Sequence, residues 1–361
     1  DGLQFPERAR KGLHRVGVAS EAPGLLRDMG YDPGPIVARA GVDLNLLADP
    51  DQFIPYKGLG RLFECCVAAT GCTHFGVKLG ARGGTRSLGL VGEIMCNSAT
   101  LGDALESICL HQPRYIKGAV TYLITEADTA YWGYGVYESD TPASEQICDA
   151  AMGIAASIVR ELTGRGPEHV LTSRARPDAQ SVNAFREALG VVPEFNSDRH
   201  AAVVPKSWLR LPVSGADPER RAECEKMVER LWTEVEHTFS ETVARHLRVN
   251  IYEGDVSAET VAQYFSLPLR TFNRRLEAEE STFRDLVKEA RFVAAKQLLA
   301  ITAMSVTDIS LALGYKELGS FTRAFASLAG ATPSEWRARL VDTKQNGGKS
   351  GSLQDRTGDR G

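Results

Sequence analysis

Arginine, asparagine and threonine side chains are concentrated on one short segment in the last third of the chain. The spacing predicts a helix over Leu269–Glu279, with Phe272 and Leu276 on its apolar face. The remaining positions carry side chains that can hydrogen-bond to base edges or phosphates: Arg270, Thr271, Asn273, Arg274 and Arg275. Arginine pairs bidentately with guanine and asparagine with adenine, so this pattern predicts a helix that reads a DNA major groove.

The same arginines have a simpler alternative explanation. Arginine is common on solvated helix faces, and Arg274 can instead form an ion pair with Glu277 or Glu280. The elements upstream help to separate the two interpretations, because a helix that Ser257 can cap and the turn Leu267-Pro268 precede this segment. An order of helix, turn and helix favours the DNA-binding interpretation.

A second helix-turn-helix pattern follows further along the chain. Ser305 can cap a helix that carries the apolar residues Val306, Ile309, Leu311 and Leu313. After a turn, Phe321 and Phe325 form the apolar face of the next helix. Candidate DNA-contacting residues lie in that turn and on the outward helix face: Lys316, Ser320, Thr322 and Arg323. For Arg323, packing against its own domain is as good an explanation as contact with DNA.

Between the two patterns, Phe283–Ala300 is predicted to form one long amphipathic helix, which would act as a rigid spacer. Taken in order, these segments resemble the AraC/XylS family of bacterial transcription regulators, over roughly residues 245–340. The resemblance is carried by Arg270-Thr271-Phe272-Asn273-Arg274-Arg275-Leu276, Ala290-Arg291 to Leu299, Ile309-Ser310-Leu311-Ala312-Leu313-Gly314-Tyr315, Ser320-Phe321-Thr322-Arg323-Ala324-Phe325 and Gly330-Ala331-Thr332-Pro333-Ser334-Glu335-Trp336-Arg337.

This resemblance implies two helix-turn-helix units that enter successive major grooves of double-stranded promoter DNA, with RNA polymerase as a further partner. The sequence departs from the family pattern at three places. Pro268 stands where a capping Ser is frequent, Glu280 where Gly is common, and Gly319 where the second reading helix begins with a polar residue. Because Ala326-Ser327-Leu328 also lacks the usual basic residues, we expect the first unit to supply most base contacts.

The upstream part alternates strand and helix signals. Strands are predicted over 88–95, 119–125, 130–137, 170–173 and 201–204, and the strongest helix over 144–163. Phe195-Asn196-Ser197-Asp198-Arg199-His200-Ala201 and Pro205-Lys206-Ser207-Trp208-Leu209 resemble the arabinose-binding-like sensing domain found in a subset of the same family. The expected fold is therefore an α/β (α+β) sensor domain followed by an all-α domain with two helix-turn-helix motifs joined by a long helix.

A sensing domain needs a pocket for a small-molecule effector. The candidate lining residues are mainly the aromatic positions of the predicted hairpin, together with one histidine and one arginine: His111, Arg114, Tyr122, Tyr131, Trp132, Tyr134 and Tyr137. Convergent aromatic rings with one cation suit a small acid or amphiphile. The alternative is that the aromatic side chains only pack the sheet.

The chain of 361 residues is long enough for two or three domains. We divide it into an N-terminal extension (1–32), a ligand-sensing domain (33–212), a linker and helix (213–248), a DNA-binding domain (249–342) and a disordered tail (343–361). A single helix is predicted from Asp217 to about Leu247. Its apolar stripe indicates a homodimer seam or, alternatively, packing on its own domain: Cys224, Val228, Leu231, Val235 and Phe239.

Composition limits the other possibilities. No apolar run is long enough for a membrane span and no signal peptide is visible, which favours a cytoplasmic location. We find no catalytic or nucleotide-binding motif and no zinc-ligand pattern, so we expect neither enzymatic activity nor a cofactor or metal. The main alternative function is a thiol-based redox sensor that uses the Cys65, Cys66 and Cys72 cluster, although cysteine in an apolar helix is more often a small buried hydrophobe.

The net charge of −4 gives no general attraction to nucleic acid. Residues 249–342 contain 11 Lys and Arg against 12 Asp and Glu, a net charge of −1. DNA binding must therefore depend on the local sorting of charge, with arginines on one face of the predicted reading helix. Few phosphates would be neutralised, so we expect weak non-specific binding and a modest dependence on salt.

Overall fold

The computed structural model describes residues 13–112, 118–138, 141–233, 238–251, 256–302 and 304–346. Its first part contains two antiparallel sheets. A two-stranded sheet pairs β1 (Leu13–Arg15) with β2 (Phe53–Pro55), and a four-stranded sheet has the order β3-β4-β6-β5. Its strands are β3 (Ala119–Glu126), β4 (Thr129–Val136), β5 (His169–Leu171) and β6 (Ala201–Pro205). The predicted hairpin over 119–137 is confirmed, with Leu123 opposite Trp132.

Eight α-helices surround these strands: α1 (Ala22–Asp28), α2 (Pro33–Arg39), α3 (Tyr56–Thr70), α4 (Phe75–Gly80), α5 (Leu90–Cys96), α6 (Leu101–His111), α7 (Ser144–Thr163) and α8 (Ala179–Leu189). The apolar stripe of α7 packs against one face of the four-stranded sheet and against α4. Two glycines allow the close approach of α4, since a Cβ on Gly76 or Gly80 would lie within 2.2 or 2.1 Å of a carbonyl oxygen of α7.

The described residues from Pro218 onward form helices, as predicted: α9 (Pro218–Thr233), α10 (Phe239–Asn250), α11 (Ala258–Tyr264), α12 (Leu269–Glu277), α13 (Phe283–Ile301), α14 (Val306–Ala312), α15 (Leu318–Ala329) and α16 (Pro333–Asn346). Helices α10 to α16 share a second hydrophobic core around Phe272, Phe321, Phe325 and Trp336. Helix α13 crosses this core as the predicted spacer and begins at Thr282, whose side chain accepts a hydrogen bond from the backbone N–H of Asp285.

The second core also includes residues from the sheet. Val120, Tyr122 and Tyr137 are buried against the helical part of the chain, on the face of the sheet opposite α7. Near the end of α13, the Lys296 ammonium lies 3.4 Å from a Glu138 carboxylate oxygen and 5.3 Å from the centre of the Tyr137 ring. The sheet is thus sandwiched between α7 and the spacer helix.

Two predicted elements are wrong. The segment 88–95 is not a strand: a short 3-10 helix ends at Leu88, and α5 begins after Gly89, which has a φ of +56°. A short buried helix and a buried strand have the same apolar composition, so periodicity could not separate them. The single helix predicted from Asp217 to Leu247 is also interrupted, because Thr238 starts α10 with an extended ψ and a capping box to Glu241.

This interruption divides the predicted dimer seam between two cores. Cys224 and Val228 of α9 are buried in the first core, whereas Phe239 of α10 packs on Phe265 and Phe272. Val235 and the side chain of Leu231 lie outside the described part of the structure. These three stripe residues therefore pack within their own chain, which was the alternative explanation of the stripe.

Three smaller expectations also change. Residues 13–32, which we assigned to an N-terminal extension, contribute Val16, Leu25 and Leu26 to the first core. Helix α16 continues to Asn346, past the expected start of the disordered tail at 343, and residues 347–361 lie outside the described part. Leu311, predicted as an apolar position of α14, is 62% exposed, because it faces away from the core that Ile309 and Leu313 enter.

Candidate nucleic-acid interface and ligand cavity

Helices α11 and α12 form the first helix-turn-helix unit. The Ser257 hydroxyl accepts a hydrogen bond of 3.1 Å from the backbone N–H of Thr260, and this bond fixes the start of α11. The turn ends at Pro268, which begins α12 without a side-chain cap, as the departure from the family pattern predicts. Phe272 and Leu276 are buried, and their burial sets which face of α12 remains outside.

The predicted contact residues of α12 differ in their surroundings. Arg270 and Arg274 are exposed, and neither forms a hydrogen bond or ion pair within the described part of the chain. The structure therefore lacks the ion pairs that were the alternative for Arg274. Thr271 and Asn273 are half-buried beside them. Arg275 is exposed too, but its guanidinium lies 5.5 Å from the centre of the Phe239 ring, a cation–π contact inside the protein.

Helix α12 is held in place by a contact that the sequence did not reveal. The Glu279 carboxylate accepts hydrogen bonds from the backbone N–H groups of Phe239 and Ser240, at 2.7 and 2.6 Å, at the N-terminus of α10. Burial acts to raise the pKa of Glu279, but these hydrogen bonds outweigh it and hold the pKa below its usual value. A carboxylate at a helix N-terminus also interacts favourably with the helix dipole.

Helices α14 and α15 form the second unit. Phe321 and Phe325 are buried, and the half-buried Tyr315 packs on Phe321 with ring centres 5.3 Å apart. The four predicted contact positions lie in the turn and on α15. Lys316 and Arg323 are exposed, and Ser320 and Thr322 are half-buried. Three of the four side chains already take part in hydrogen bonds within α15. The Thr322 hydroxyl donates to the Leu318 carbonyl at 2.9 Å, and Arg323 Nη2 donates to Ser320 Oγ at 3.4 Å.

A cavity of about 130 Å³ lies in the first part of the chain, between α7 and the sheet. Most of its wall is apolar, from α3, α6, α7 and the hairpin: Leu59, Phe63, Ile108, Ile147, Ile154 and Ile158. Trp132 and Tyr134 complete the wall on the side of β4, and Thr121 does so on β3. The Tyr134 hydroxyl lies 3.2 Å from the Tyr56 hydroxyl.

The structure separates the predicted pocket residues. Only Trp132 and Tyr134 of the seven line this cavity. Tyr122 and Tyr137 are on the opposite face of the sheet, against the helical part, and Tyr131 lies beneath the Arg199 guanidinium at 5.4 Å. His111 is buried but does not line the cavity, and Arg114 lies outside the described residues. The interpretation that aromatic side chains pack the sheet therefore applies to Tyr122 and Tyr137.

Sequence reasoning missed five polar residues of the cavity wall: His14, Arg15, Ser87, Gln112 and Thr121. His14 and Arg15 belong to the β1 strand, which reaches the cavity only through its pairing with β2. Burial lowers the pKa of His14 to about 4, so the ring is uncharged at neutral pH. The Arg15 guanidinium is already paired with an Asp51 carboxylate oxygen at 2.7 Å.

A smaller cavity of about 30 Å³ lies where the sheet, the start of α7 and the end of α13 meet. Tyr134 lines it as well, together with Tyr122, Arg199 and His200 of the first part and Ile301 at the end of α13. The Tyr122 hydroxyl donates to the His200 carbonyl at 3.0 Å. Tyr134 is thus shared by the apolar cavity and by the contact with the helical part.

The cysteine cluster lacks the environment of a redox switch. Burial raises the pKa of the Cys66 thiol to about 12, and it raises the pKa of Cys65 and Cys72 as well. The thiolate is the reactive form, so a raised pKa lowers the fraction of reactive thiolate at neutral pH. Within the described ranges, no group of three or more His, Cys, Asp or Glu side chains is arranged to hold a metal ion. None of the helices in those ranges is long and apolar enough to span a membrane.

Two helix-turn-helix units on a rigid spacer, joined to an α/β part that contains an apolar cavity, define a ligand-responsive DNA-binding regulator. Comparison with known proteins supports this assignment. Residues 30–213 match the model of the arabinose-binding domain of AraC transcription regulators, and residues 261–339 match a helix-turn-helix domain. The chain belongs to the AraC family of transcription regulators.

Relatives match over nearly the whole chain. The HTH-type transcriptional regulator VirS of Mycobacterium tuberculosis is 30% identical over 318 residues, which cover 87% of this chain and 93% of VirS. The ornithine utilization regulator of Pseudomonas aeruginosa is 26% identical over 328 residues, 89% of this chain and 95% of that protein. The crystal structure of the transcriptional regulator CdpR from Pseudomonas aeruginosa covers 85% of this chain and 98% of its own, with 20% identity and a TM-score of 0.38.

Proposed function

We propose that α12 makes most of the base contacts when this regulator binds promoter DNA, through Arg270, Asn273 and Arg274. The observation that carries this assignment is the difference between the arginines. Arg270 and Arg274 extend from an exposed helix face with no protein partner in the described part, whereas the guanidinium of Arg275 packs on Phe239. An arginine without a protein partner can make a bidentate contact to guanine at no cost in lost internal bonds.

The second unit contributes less in this proposal. The side chains of Thr322 and Arg323 make hydrogen bonds within α15, so a base contact there must replace an existing bond. Lys316 and Ser320 supply phosphate or sugar contacts that position the unit. Specificity then depends mainly on one half-site and on the pairing of two copies as a homodimer.

The apolar cavity is the effector site in this proposal. It lies on one face of the sheet, and the spacer helix packs on the other. A ligand that fits the cavity better when the two parts are docked in one arrangement shifts the equilibrium toward that arrangement. The two reading helices are then moved relative to DNA without any change in their own contacts.

The regulator has no catalytic role in this proposal. It acts in the cytoplasm on double-stranded DNA and contacts RNA polymerase at the promoter. The DNA-binding domain comprises residues 249–342 together with α10, whose N-terminus is bound by Glu279. The sensor domain comprises 33–212 and the preceding residues from 13 onward.

The test is the affinity of the purified full chain for the DNA upstream of its own gene, measured by fluorescence anisotropy at a fixed salt concentration. Arg274→Ala is expected to weaken binding to that DNA and to leave the weak binding to unrelated DNA almost unchanged. Arg220→Ala, which removes an exposed arginine of α9, is the charge-matched control. Equal losses on both DNAs would assign Arg274 to phosphate contact only and would contradict the proposed base contact.

A further inference from the structure

The wall of the apolar cavity carries two buried hydrogen-bond donors without an acceptor. The indole N–H of Trp132 and the side-chain amide nitrogen of Gln112 make no hydrogen bond within the described part of the chain. Trp132 is 4% exposed and Gln112 is 1% exposed, so water does not reach these atoms from outside. Buried donors are nearly always paired in proteins, and each exception calls for an explanation.

The orientation of the Gln112 amide is fixed by a neighbour. Its oxygen accepts a hydrogen bond of 3.1 Å from the backbone N–H of Thr121, so the NH₂ group is the end that lacks a partner. Thr121 pairs with Tyr134 in the hairpin, and Trp132 stands two residues before Tyr134 on the same strand. All four residues line the cavity. Both donors therefore belong to residues of the same cavity wall, one on β4 and one held against β3.

Apart from these two donors, the polar side chains of the described wall are His14, Arg15, Ser87, Thr121 and Tyr134. Among the described residues that line the cavity there is no Asp or Glu, and most side chains are aliphatic. The one arginine, Arg15, already has the Asp51 carboxylate as its partner, and the ring of His14 is neutral. A sugar has several hydroxyl groups that each need a partner, and burying them without partners is unfavourable. A carboxylate ligand would likewise lack a free counter-charge.

We propose that this cavity binds a compact, uncharged and largely apolar molecule with one hydrogen-bond acceptor, such as a ring ketone or a short ester, and that it excludes sugars. The acceptor oxygen takes the hydrogen bonds of Trp132 and Gln112, and the hydrocarbon part fills the space against α7. This inference rests on the proposed role of the cavity as the effector site. A volume of about 130 Å³ holds a single ring, as engineered apolar cavities of similar size hold benzene.

The test compares two probes of the same shape. Cyclohexanone carries a carbonyl oxygen where methylenecyclohexane carries a CH₂ group, and L-arabinose is the polyol. Ligand-observed NMR titrations of the full chain measure the three affinities. Cyclohexanone is expected to bind about tenfold or more tightly than methylenecyclohexane, because only the ketone satisfies the buried donors. L-Arabinose is expected not to bind.

Variants assign the effect to the cavity. Trp132→Phe keeps an aromatic ring but removes the indole N–H, and Gln112→Met removes the amide, so each is expected to reduce the preference for the ketone. Trp208→Phe, in the short helix after β6 and outside the cavity, is the matched control. Ala155→Leu places extra volume in the cavity and is expected to abolish binding of both ring probes.

Three results would overturn the inference: no binding of cyclohexanone, equal affinity of the two ring probes, or binding of L-arabinose that Ala155→Leu abolishes. The last result would keep the cavity as the effector site and change only the class of ligand. Failure of the proposed function is a separate outcome. It would appear as an affinity of the full chain for the DNA upstream of its own gene that does not change when cyclohexanone fills the cavity, even though cyclohexanone binds as expected.

Discussion

The side chain of Ile301 lies so close to Gly135 that a Cβ atom at position 135 would come within 2.4 Å of Ile301 Cγ2. Ile301 is the last residue of the spacer helix, and Gly135 follows Tyr134, which lines the apolar cavity. One strand of the sheet therefore touches the cavity on one face and the DNA-binding helices on the other. We therefore expect a change in the position of this strand to move the spacer helix.

The first prediction concerns this contact. Gly135→Ala places a methyl group where Ile301 now packs, and forced overpacking of this kind costs about 1–3 kcal/mol. We expect the end of α13 to separate from the sheet, with faster amide hydrogen exchange over residues 296–301. Gly166→Ala, whose added Cβ would meet only the end of an arginine side chain at 3.8 Å, is the control. Unchanged exchange in Gly135→Ala would show that the contact does not hold the two parts together.

The second prediction concerns the arginine that has no protein partner. Arg274→Ala is expected to lower the affinity for the specific DNA by about 1–3 kcal/mol, the range for a bidentate base contact. Arg274→Lys keeps the charge but not the fork of donors, so it should recover only part of the loss. Arg323→Ala should have a smaller effect, because Arg323 is engaged with Ser320. A larger loss for Arg323→Ala than for Arg274→Ala would reverse the proposed order of the two units.

The third prediction concerns backbone strain before the spacer helix. Glu280 has a φ of +53°, a left-handed conformation that costs a residue with a Cβ about 1–2 kcal/mol. Glu280→Gly is therefore expected to raise the melting temperature, with a gain of about 0.5–1 kcal/mol after the greater flexibility of unfolded glycine is subtracted. Glu289→Gly, at an exposed position inside α13, should instead destabilise the protein by about 1 kcal/mol. A loss of stability in both variants would refute the strain at Glu280.

The fourth prediction concerns pH. Asp149 is buried on α7, and this burial, assisted by the charge of Glu145, raises its pKa to about 7 against the opposing effect of Arg174. Because the folded pKa exceeds the unfolded one, the folded state holds the extra proton between about pH 4 and pH 7. Stability from this site is complete at low pH and is lost as the pH rises through that range, by on the order of 1 kcal/mol per pH unit.

Asp149→Asn removes the titration while it retains an oxygen toward Arg174, whose Nε donates to the Asp149 carboxylate at 2.9 Å. The difference in unfolding free energy between wild type and variant should therefore change steadily from pH 5 to pH 7 and become constant above pH 7. Asp178→Asn, at an exposed helix cap, controls for loss of a carboxylate elsewhere. A difference that is constant across the whole range would contradict the raised pKa of Asp149.

The DNA-binding half was predictable because its signals are local. Phe272 and Leu276 at a spacing of four residues, the caps Ser257 and Ser305, and the positions of the turns all act within one or two helical turns, and the structure has them as predicted. The sequence also shows that Glu280 stands where the family commonly has Gly. The positive φ of Glu280 is the backbone conformation that favours glycine at this position.

The cavity was only partly predictable because its wall comes from distant segments. Alternation along β4 places Trp132 and Tyr134 on one face, but it does not tell which face meets a cavity and which meets α13. Gln112 and His14 enter the wall through the packing of α6 and the pairing of β1 with β2, neither of which leaves a local signal. The Glu279 contact with α10 is likewise formed between residues that are 39 and 40 positions apart.

The most direct test of the whole account is the specificity of the full chain for DNA. Fluorescence anisotropy should compare the DNA upstream of its own gene with a scrambled duplex of equal length and composition, at one fixed salt concentration. The account predicts binding to the upstream DNA that is about 1,000-fold or more tighter, with the difference reduced by Arg274→Ala. Equal affinity for the two duplexes, both with and without the ligand that fills the cavity, would contradict it.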